Sequence, residues 1–180
     1  MSCLNAQGIP KNRSSEYATI GDFRELFIRG SRGFYLLSIL LTADHEKAVR
    51  CLIASLDECI NGNSAFREWA HSRARRTIVR NAVRMFTFNF GPSGPEPSAA
   101  PSATSLQDSI LARVLALEDF ERFVFVLSIL EKYSDQNCAV LLNVSPQRIR
   151  VTRNSALKHV AHLALGESLP AGDWAGVGAA

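Results

Sequence analysis

The sequence predicts an all-α fold made of two small helical domains, the second of which contains a helix-turn-helix. Apolar residues recur every three or four positions through most of the chain, as they do along the buried face of a helix. No stretch shows the sustained alternation that is typical of a strand. A segment rich in proline, serine and glycine separates the two groups of helical stretches, and the hydrophobic content of 47% is sufficient for a core.

The expected organisation has five parts, which differ in composition. Polar and small residues dominate residues 1–20 and predict a flexible N-terminal arm. Residues 21–90 are expected to form the first helical domain, and residues 108–165 the helix-turn-helix domain. Between them, residues 91–107 form a linker, because four of the seven prolines lie in this region and such a composition cannot pack a core. Residues 166–180 are expected to form a flexible tail.

The first domain contains recognisable helix boundaries. The stretch from residue 23 to residue 43 predicts one or two helices, with a break near Gly30 and Gly33. Asp44 is expected to cap the next helix, and Ser64 is expected to start a third. The apolar stripe of the middle helix is expected to consist of Ala48, Cys51, Leu52, Ser55, Leu56 and Cys59. The inward-facing residues of the third helix are expected to be Phe66, Trp69, Ile78, Ala82, Val83 and Phe86.

A short helix, a turn and a basic helix follow one another between residues 134 and 160. Ser134 is expected to cap the short helix, and Asn143 to end it, because asparagine tolerates the left-handed conformation better than most residues. Ser145 is expected to cap the basic helix, with Pro146 at its first position. The inner faces are expected to be Cys138, Leu141 and Leu142 in the short helix and Ile149, Ala156 and Val160 in the basic helix. This pattern is typical of a helix-turn-helix, whose second helix enters the DNA major groove.

Positive charge is concentrated in two segments, although the net charge of the chain is only +3. Residues 67–84 contain six arginines and one acid, and residues 145–165 contain four cations and no acid. Residues 117–135, by contrast, are acid-leaning. Two separated cationic segments favour two contacts with one polyanion, whose phosphates would supply the missing acids.

The stretch LALEDFERFVFVLSILEKYSDQNCAVLLNVSPQRIRV carries a family resemblance. It resembles region 4 of the sigma-70 family of RNA polymerase sigma factors, in the two-domain extracytoplasmic-function form, in both the order and the spacing of its motifs. The residues at the family's structural positions are Ala139, Leu142, Ser145 and Ile149, and Arg150 matches the family's lysine. The departures are Asn137, Asn143 and Arg148, where the family has glutamate, glycine and threonine.

The stretch SAFREWAHSRARRTIVRNAVR resembles region 2 of the same family, in which a tryptophan opens a helix that holds the minus-ten promoter strand. Trp69 matches that tryptophan, and cations beside a stacking aromatic suit single-stranded DNA. Considered by packing alone, Trp69 is more typical of a core residue. Arg76 and Arg80 replace the family's asparagine and aspartate. The helix that would grip the polymerase clamp carries Arg50, Cys51, Ile53 and Ala54 in place of the family's acids and glutamine.

The resemblance implies an alternative sigma factor that binds promoter DNA and directs bacterial RNA polymerase to initiate transcription. Its expected partners are promoter DNA, the polymerase core and an anti-sigma protein. The residues expected at base edges are Gln147, Arg148 and Arg150, and those expected at phosphates are Arg153, Asn154 and Lys158. The DNA-binding residues expected in the first domain are Trp69, Arg73, Arg76 and Arg80. Two alternatives stay open: a helix-turn-helix regulator without polymerase binding, and a protein-interaction module.

No motif in the sequence predicts catalysis, because phosphate-cradling glycine loops, nucleophile motifs and paired carboxylates are absent from it. Neither a cofactor nor a metal is expected, since His159 and His162 have no evident third ligand. Four cysteines without paired spacing and an N-terminus without a signal pattern predict a reduced, cytoplasmic protein. The longest apolar stretch, FYLLSILLTA, is about half the length needed to span a membrane.

Overall fold

The structure, a computed structural model, describes residues 16–86 and 110–165, which we call the first half and the second half of the chain. These ranges contain seven α-helices and no β-strand beyond one isolated bridge, which confirms the all-α fold. The helices are α1 (Ile20–Thr42), α2 (His45–Asn61), α3 (Ala70–Arg84), α4 (Ile110–Leu115), α5 (Asp119–Phe125), α6 (Asp135–Leu142) and α7 (Pro146–Leu165). The expected linker and tail, and the expected arm up to residue 15, lie outside the described residues.

Helix α1 runs unbroken for 23 residues. Its start is fixed by a capping box, in which the Asp22 N–H donates to Thr19 Oγ1 at 3.2 Å and the Thr19 N–H donates to Asp22 Oδ2 at 2.7 Å. The expected break near Gly30 and Gly33 is therefore wrong. A Cβ on residue 30 would lie 2.9 Å from the ring of Phe34, so Gly30 makes room for that ring inside the helix.

The apolar end of α1 forms much of the core of the first half. The buried residues in this part of the helix are Phe34, Leu37, Ser38, Leu40, Leu41 and Thr42. They include most of the stretch FYLLSILLTA. Across the two described ranges, no helix combines the length and the apolar character that crossing a bilayer requires.

Helix α2 begins where the sequence predicts, because the side chain of Asp44 accepts from the N–H of Lys47 at 2.7 Å. Four residues of its expected stripe, Ala48, Cys51, Ser55 and Cys59, are buried, and the other two, Leu52 and Leu56, are partly buried against the core. The third helix starts later than predicted, since a 3-10 turn, Arg67–Trp69, precedes α3. This tighter turn leaves the side chain of Trp69 58% exposed, so the expectation that Trp69 faces inward is wrong.

Helix α5 continues into a π-helical turn, Val126–Leu130. The Glu131 N–H closes this turn on the carbonyl of Val126 at 2.9 Å. Lys132 follows with φ 57°, in the left-handed region. The wide turn thus ends α5 and sets the direction in which the chain enters α6.

The two halves share one core in the structure. The ring of Phe86, just after α3, meets the ring of Phe123 in α5 edge-on, with 5.1 Å between centroids. The buried guanidinium of Arg122 donates through Nε to the carbonyl of Leu41 in α1 at 3.4 Å. The predicted arrangement of two separate domains is therefore not confirmed, and the linker predicted between them, residues 91–107, lies outside the described residues.

Candidate nucleic-acid interface

Helices α6 and α7 are joined by the short turn that the sequence predicts. Ser134 caps α6 by accepting from the N–H of Asn137 at 3.2 Å. Asn143 ends α6 in the left-handed conformation, with φ 53°. Ser145 accepts from the N–H of Arg148 at 3.3 Å and so fixes the first turn of α7. The expected caps and the left-handed turn are confirmed.

Helix α7 buries a narrow stripe and exposes the rest of its N-terminal half. Ile149 and Ala156 are fully buried, and Val160 is half-buried, as the periodicity predicts. Of the six residues of α7 predicted to contact DNA, the exposed ones are Gln147, Arg148, Arg150, Asn154 and Lys158. The sixth, Arg153, is partly buried. The helix therefore presents a polar and cationic face that is held in place by its buried stripe.

Two arginines of α7 already have an acidic partner on α6. Arg150 Nε donates to Asp135 Oδ2 at 3.0 Å, and Arg153 forms a second ion pair with the other oxygen of the same carboxylate. The hydrogen bond from Arg150 and the charge of Arg153 hold the pKa of Asp135 below its ordinary value of 3.8. In the structure, an acid of α6 therefore occupies the position beside these two arginines that the sequence predicts for phosphates, and whether phosphates replace it stays a prediction.

Asp135→Asn is expected to strengthen the binding of random-sequence duplex DNA by roughly threefold or more at low salt, since it frees two arginines and removes a negative charge beside them. Fluorescence anisotropy with a labelled duplex measures this effect. The matched control is Asp57→Asn, which removes an exposed acid of α2. An equal gain in both variants would show that Asp135 acts only through net charge.

Contacts with α5 also fix the orientation of α7. The guanidinium of Arg148 lies 5.2 Å from the centroid of the Phe120 ring, within the range of a cation–π interaction. Further along the helix, Ser155 Oγ donates to Glu121 Oε1 at 2.8 Å, and His159 Nδ1 lies 2.8 Å from Glu121 Oε2. Helix α5 thus anchors α7 at both ends of the exposed face.

The arginines of α3 are more often paired than the sequence indicates. Arg80 and Arg84 both form ion pairs with Glu58 on α2, and Arg75 forms an ion pair with Glu131. These acids lie outside residues 67–84, so the free positive charge of the segment is smaller than its own composition indicates. Arg73 is half-buried, and its Nε has no hydrogen-bond partner within the described residues.

Arg76 differs from its neighbours on α3. Its side chain is exposed, and within the described ranges it forms no ion pair or hydrogen bond. Helix α6 packs against both α3 and α7, so it connects the two cationic helices. Of the three arginines of α3 predicted to contact DNA, Arg76 is therefore the one that is both exposed and without an ion pair within the described residues.

Trp69 belongs to a surface cluster of aromatic side chains that the sequence did not predict. Its indole meets the ring of Phe66 edge-on at 5.2 Å, and Phe66 stacks on Tyr17 at 4.7 Å. An isolated β-bridge between Tyr17 and Phe66 holds the pair together. Exposed stacked rings are suited to unpaired bases. Tyr17 was assigned to a flexible arm, and only the folded chain brings it to Phe66.

No protein-family model matches the chain, and no curated protein or solved structure matches it either. The candidate interface is therefore defined by its own geometry. Its parts are the capped helix-turn-helix of α6 and α7, the exposed Arg76 on α3 and the aromatic cluster at Trp69.

Proposed function

We propose that this protein is a helix-turn-helix DNA-binding protein of the sigma-factor type, which recognises promoter duplex through α7 and directs bacterial RNA polymerase to it. The observation that supports this proposal best is that α7 has one buried face and one exposed, polar face. Its first turn is fixed by the Ser145 cap, its stripe at Ile149 is fully buried, and its opposite face is polar and exposed. A recognition helix needs this combination of a fixed position and a free face.

The exposed residues of α7 divide by their distance from the N-terminal end, which enters the groove first. Arg148 lies in the first turn, where its planar guanidinium can reach the two major-groove acceptors of a guanine. Lys158 lies about three turns further on, where a helix has left the base edges and meets phosphates. Arg148 is therefore proposed to determine specificity, and Lys158 to add affinity without specificity.

Arg148→Ala is expected to cost about 1–3 kcal/mol of binding free energy at one base position and to relax the preference there. Lys158→Ala is expected to weaken binding to all duplexes about equally. It should also reduce the dependence of the binding constant on salt concentration by roughly one released counterion. A competition assay between a selected site and random duplex measures both effects. Arg50→Ala is the control, because Arg50 is an exposed cation on α2. Uniform losses in both α7 variants, with preference unchanged, would make the helix an electrostatic anchor.

Polymerase binding is tested separately. The exposed face of α2 presents Arg50, Ile53 and Ala54, which favours the second candidate, a regulator that binds DNA without polymerase. Retention of the protein on core polymerase, together with run-off transcription from genomic fragments, would support the sigma-type function. Specific duplex binding without either result would support the regulator. Failure to bind any duplex at low salt would instead favour a protein-interaction module.

The sigma-type proposal also concerns the first half. The surface aromatic cluster, in which Tyr17 and Trp69 are exposed and Phe66 is half-buried between them, would hold unpaired bases of the minus-ten strand. In this proposal the protein acts in the bacterial cytoplasm, with an anti-sigma protein as a further partner. It has no catalytic role, since polymerase performs the chemistry.

A further inference from the structure

An open cleft of about 620 Å³ lies where the two halves meet. Its lining comes from α3, from the turn after the π-helical segment and from the start of α6. We call it the junction cleft, and its lining residues are Ser72, Arg75, Arg76, Leu130, Glu131, Lys132, Tyr133 and Asn137. Its volume is within the range of sites that hold small organic ligands.

The charge of the junction cleft is positive. Among the described residues that line it, Glu131 is the only one with a carboxylate, and both oxygens of Glu131 accept from the guanidinium of Arg75. This ion pair joins α3 to the turn and raises the pKa of Arg75. The two remaining cations, Arg76 and Lys132, are exposed and form no ion pair or hydrogen bond within residues 16–86 and 110–165. Two positive charges are therefore left without a partner at one opening.

The backbone at Lys132 is held in an unusual conformation. Its φ of 57° is uncommon for a residue with a side chain, and such conformations cluster at functional sites. Hydrogen bonds on both sides maintain it, from the Glu131 N–H to Val126 and from the Tyr133 N–H to Leu127, each at 2.9 Å. Glycine would adopt this conformation without strain, yet the chain has a lysine here.

Neutral donors complete the lining of the junction cleft. The hydroxyl of Ser72 and the amide of Asn137 are available as donors at its wall. The hydroxyl of Tyr133 is a third donor, and burial raises its pKa above the ordinary value of 10.0. Cations combined with hydroxyl and amide donors are the groups that bind phosphate oxygens in proteins.

We propose that the junction cleft is a binding site for a phosphate group, in which Arg76 and Lys132 contact the phosphate oxygens. Two sources carry this chemistry: a free nucleotide, which fits the volume of the cleft, and the backbone of nucleic acid. A phosphate bound here would touch α3 from one half and the 130–133 turn from the other. Ligand binding would therefore stabilise the contact between the halves.

ADP is the first probe, titrated by calorimetry into the full chain at low salt. We expect ADP to bind and adenosine, which lacks phosphate, to bind much more weakly. Arg76→Gln and Lys132→Gly are each expected to weaken the affinity for ADP about tenfold, because each removes a charge-assisted contact. The matched controls are Arg32→Gln, which removes an exposed arginine of α1, and Ala43→Gly, which places glycine at a left-handed position without changing charge. Thermal melts check that all variants fold.

A random-sequence duplex is the second probe, and it distinguishes a free nucleotide from the nucleic-acid backbone as the source of the phosphate. If ADP fails to bind but duplex affinity falls in Arg76→Gln and Lys132→Gly and not in the controls, the phosphate belongs to the DNA backbone. The proposal is overturned if neither probe depends on Arg76 and Lys132 more than on the control positions. The ADP measurement is independent of the proposed DNA-binding role of α7, so the two proposals can fail separately.

Discussion

Replacing Phe123 with alanine is expected to lower the free energy of unfolding by about 3–5 kcal/mol. The ring of Phe123 is fully buried in α5 and packs edge-on against Phe86 from the other half. Urea denaturation measures the loss. Because Phe123 joins the two halves, the fluorescence of Trp69 should report the same shifted unfolding transition as circular dichroism. The measurement uses a Trp174→Phe background, which leaves Trp69 as the single tryptophan.

The control for Phe123→Ala is Ile110→Ala, since Ile110 is 66% exposed in the same half and its loss is expected to change stability by about 0.5 kcal/mol or less. If Phe123→Ala shifted the dichroism transition and left the Trp69 transition in place, the halves would unfold independently. That outcome would favour the two separate domains that the sequence predicts over the shared core.

Ile149→Ala is expected to cost about 2–5 kcal/mol of stability, because Ile149 is fully buried and fixes α7, the proposed recognition helix, to the rest of the second half. Val151→Ala is the matched control, since Val151 lies two residues away and is 60% exposed. Thermal or urea denaturation of both variants measures the difference. Equal and small losses would show that α7 is not held by its apolar stripe, and its proposed role as a fixed recognition helix would then be untenable.

The parts of the fold that the sequence predicts correctly depend on local chemistry. Asp44 and Ser134 cap their helices, and Asn143 adopts the left-handed turn, because each depends on residues within four or five positions. The buried stripe of α7 follows from the same local periodicity. The prediction of a break in α1 at Gly30 and Gly33 is wrong, because Gly30 makes room for the Phe34 ring within the helix.

The parts of the candidate site that the sequence does not predict depend on distant residues. Glu58 neutralises arginines of α3, and Asp135 neutralises arginines of α7, so counting charges within a segment overestimates the free positive charge. Tyr17 reaches the Trp69 cluster through a bridge that no local pattern indicates. The junction cleft likewise exists only because α3 packs near α6.

The contact between Arg122 and the end of α1 has an electrostatic consequence. The aligned peptide dipoles of a long helix place partial negative charge at its C-terminus, and the last turn of α1 has no basic residue. Arg122, which is 2% exposed, donates to the carbonyl of Leu41 in that turn and, at 2.8 Å, to the carbonyl of Leu117. Arg122 also forms an ion pair with Asp119, so the second half supplies the end of α1 with a charged hydrogen-bond donor whose own counter-charge lies in α5. A partner protein that displaced the second half from α1 would have to present a hydrogen-bond donor to the carbonyl of Leu41.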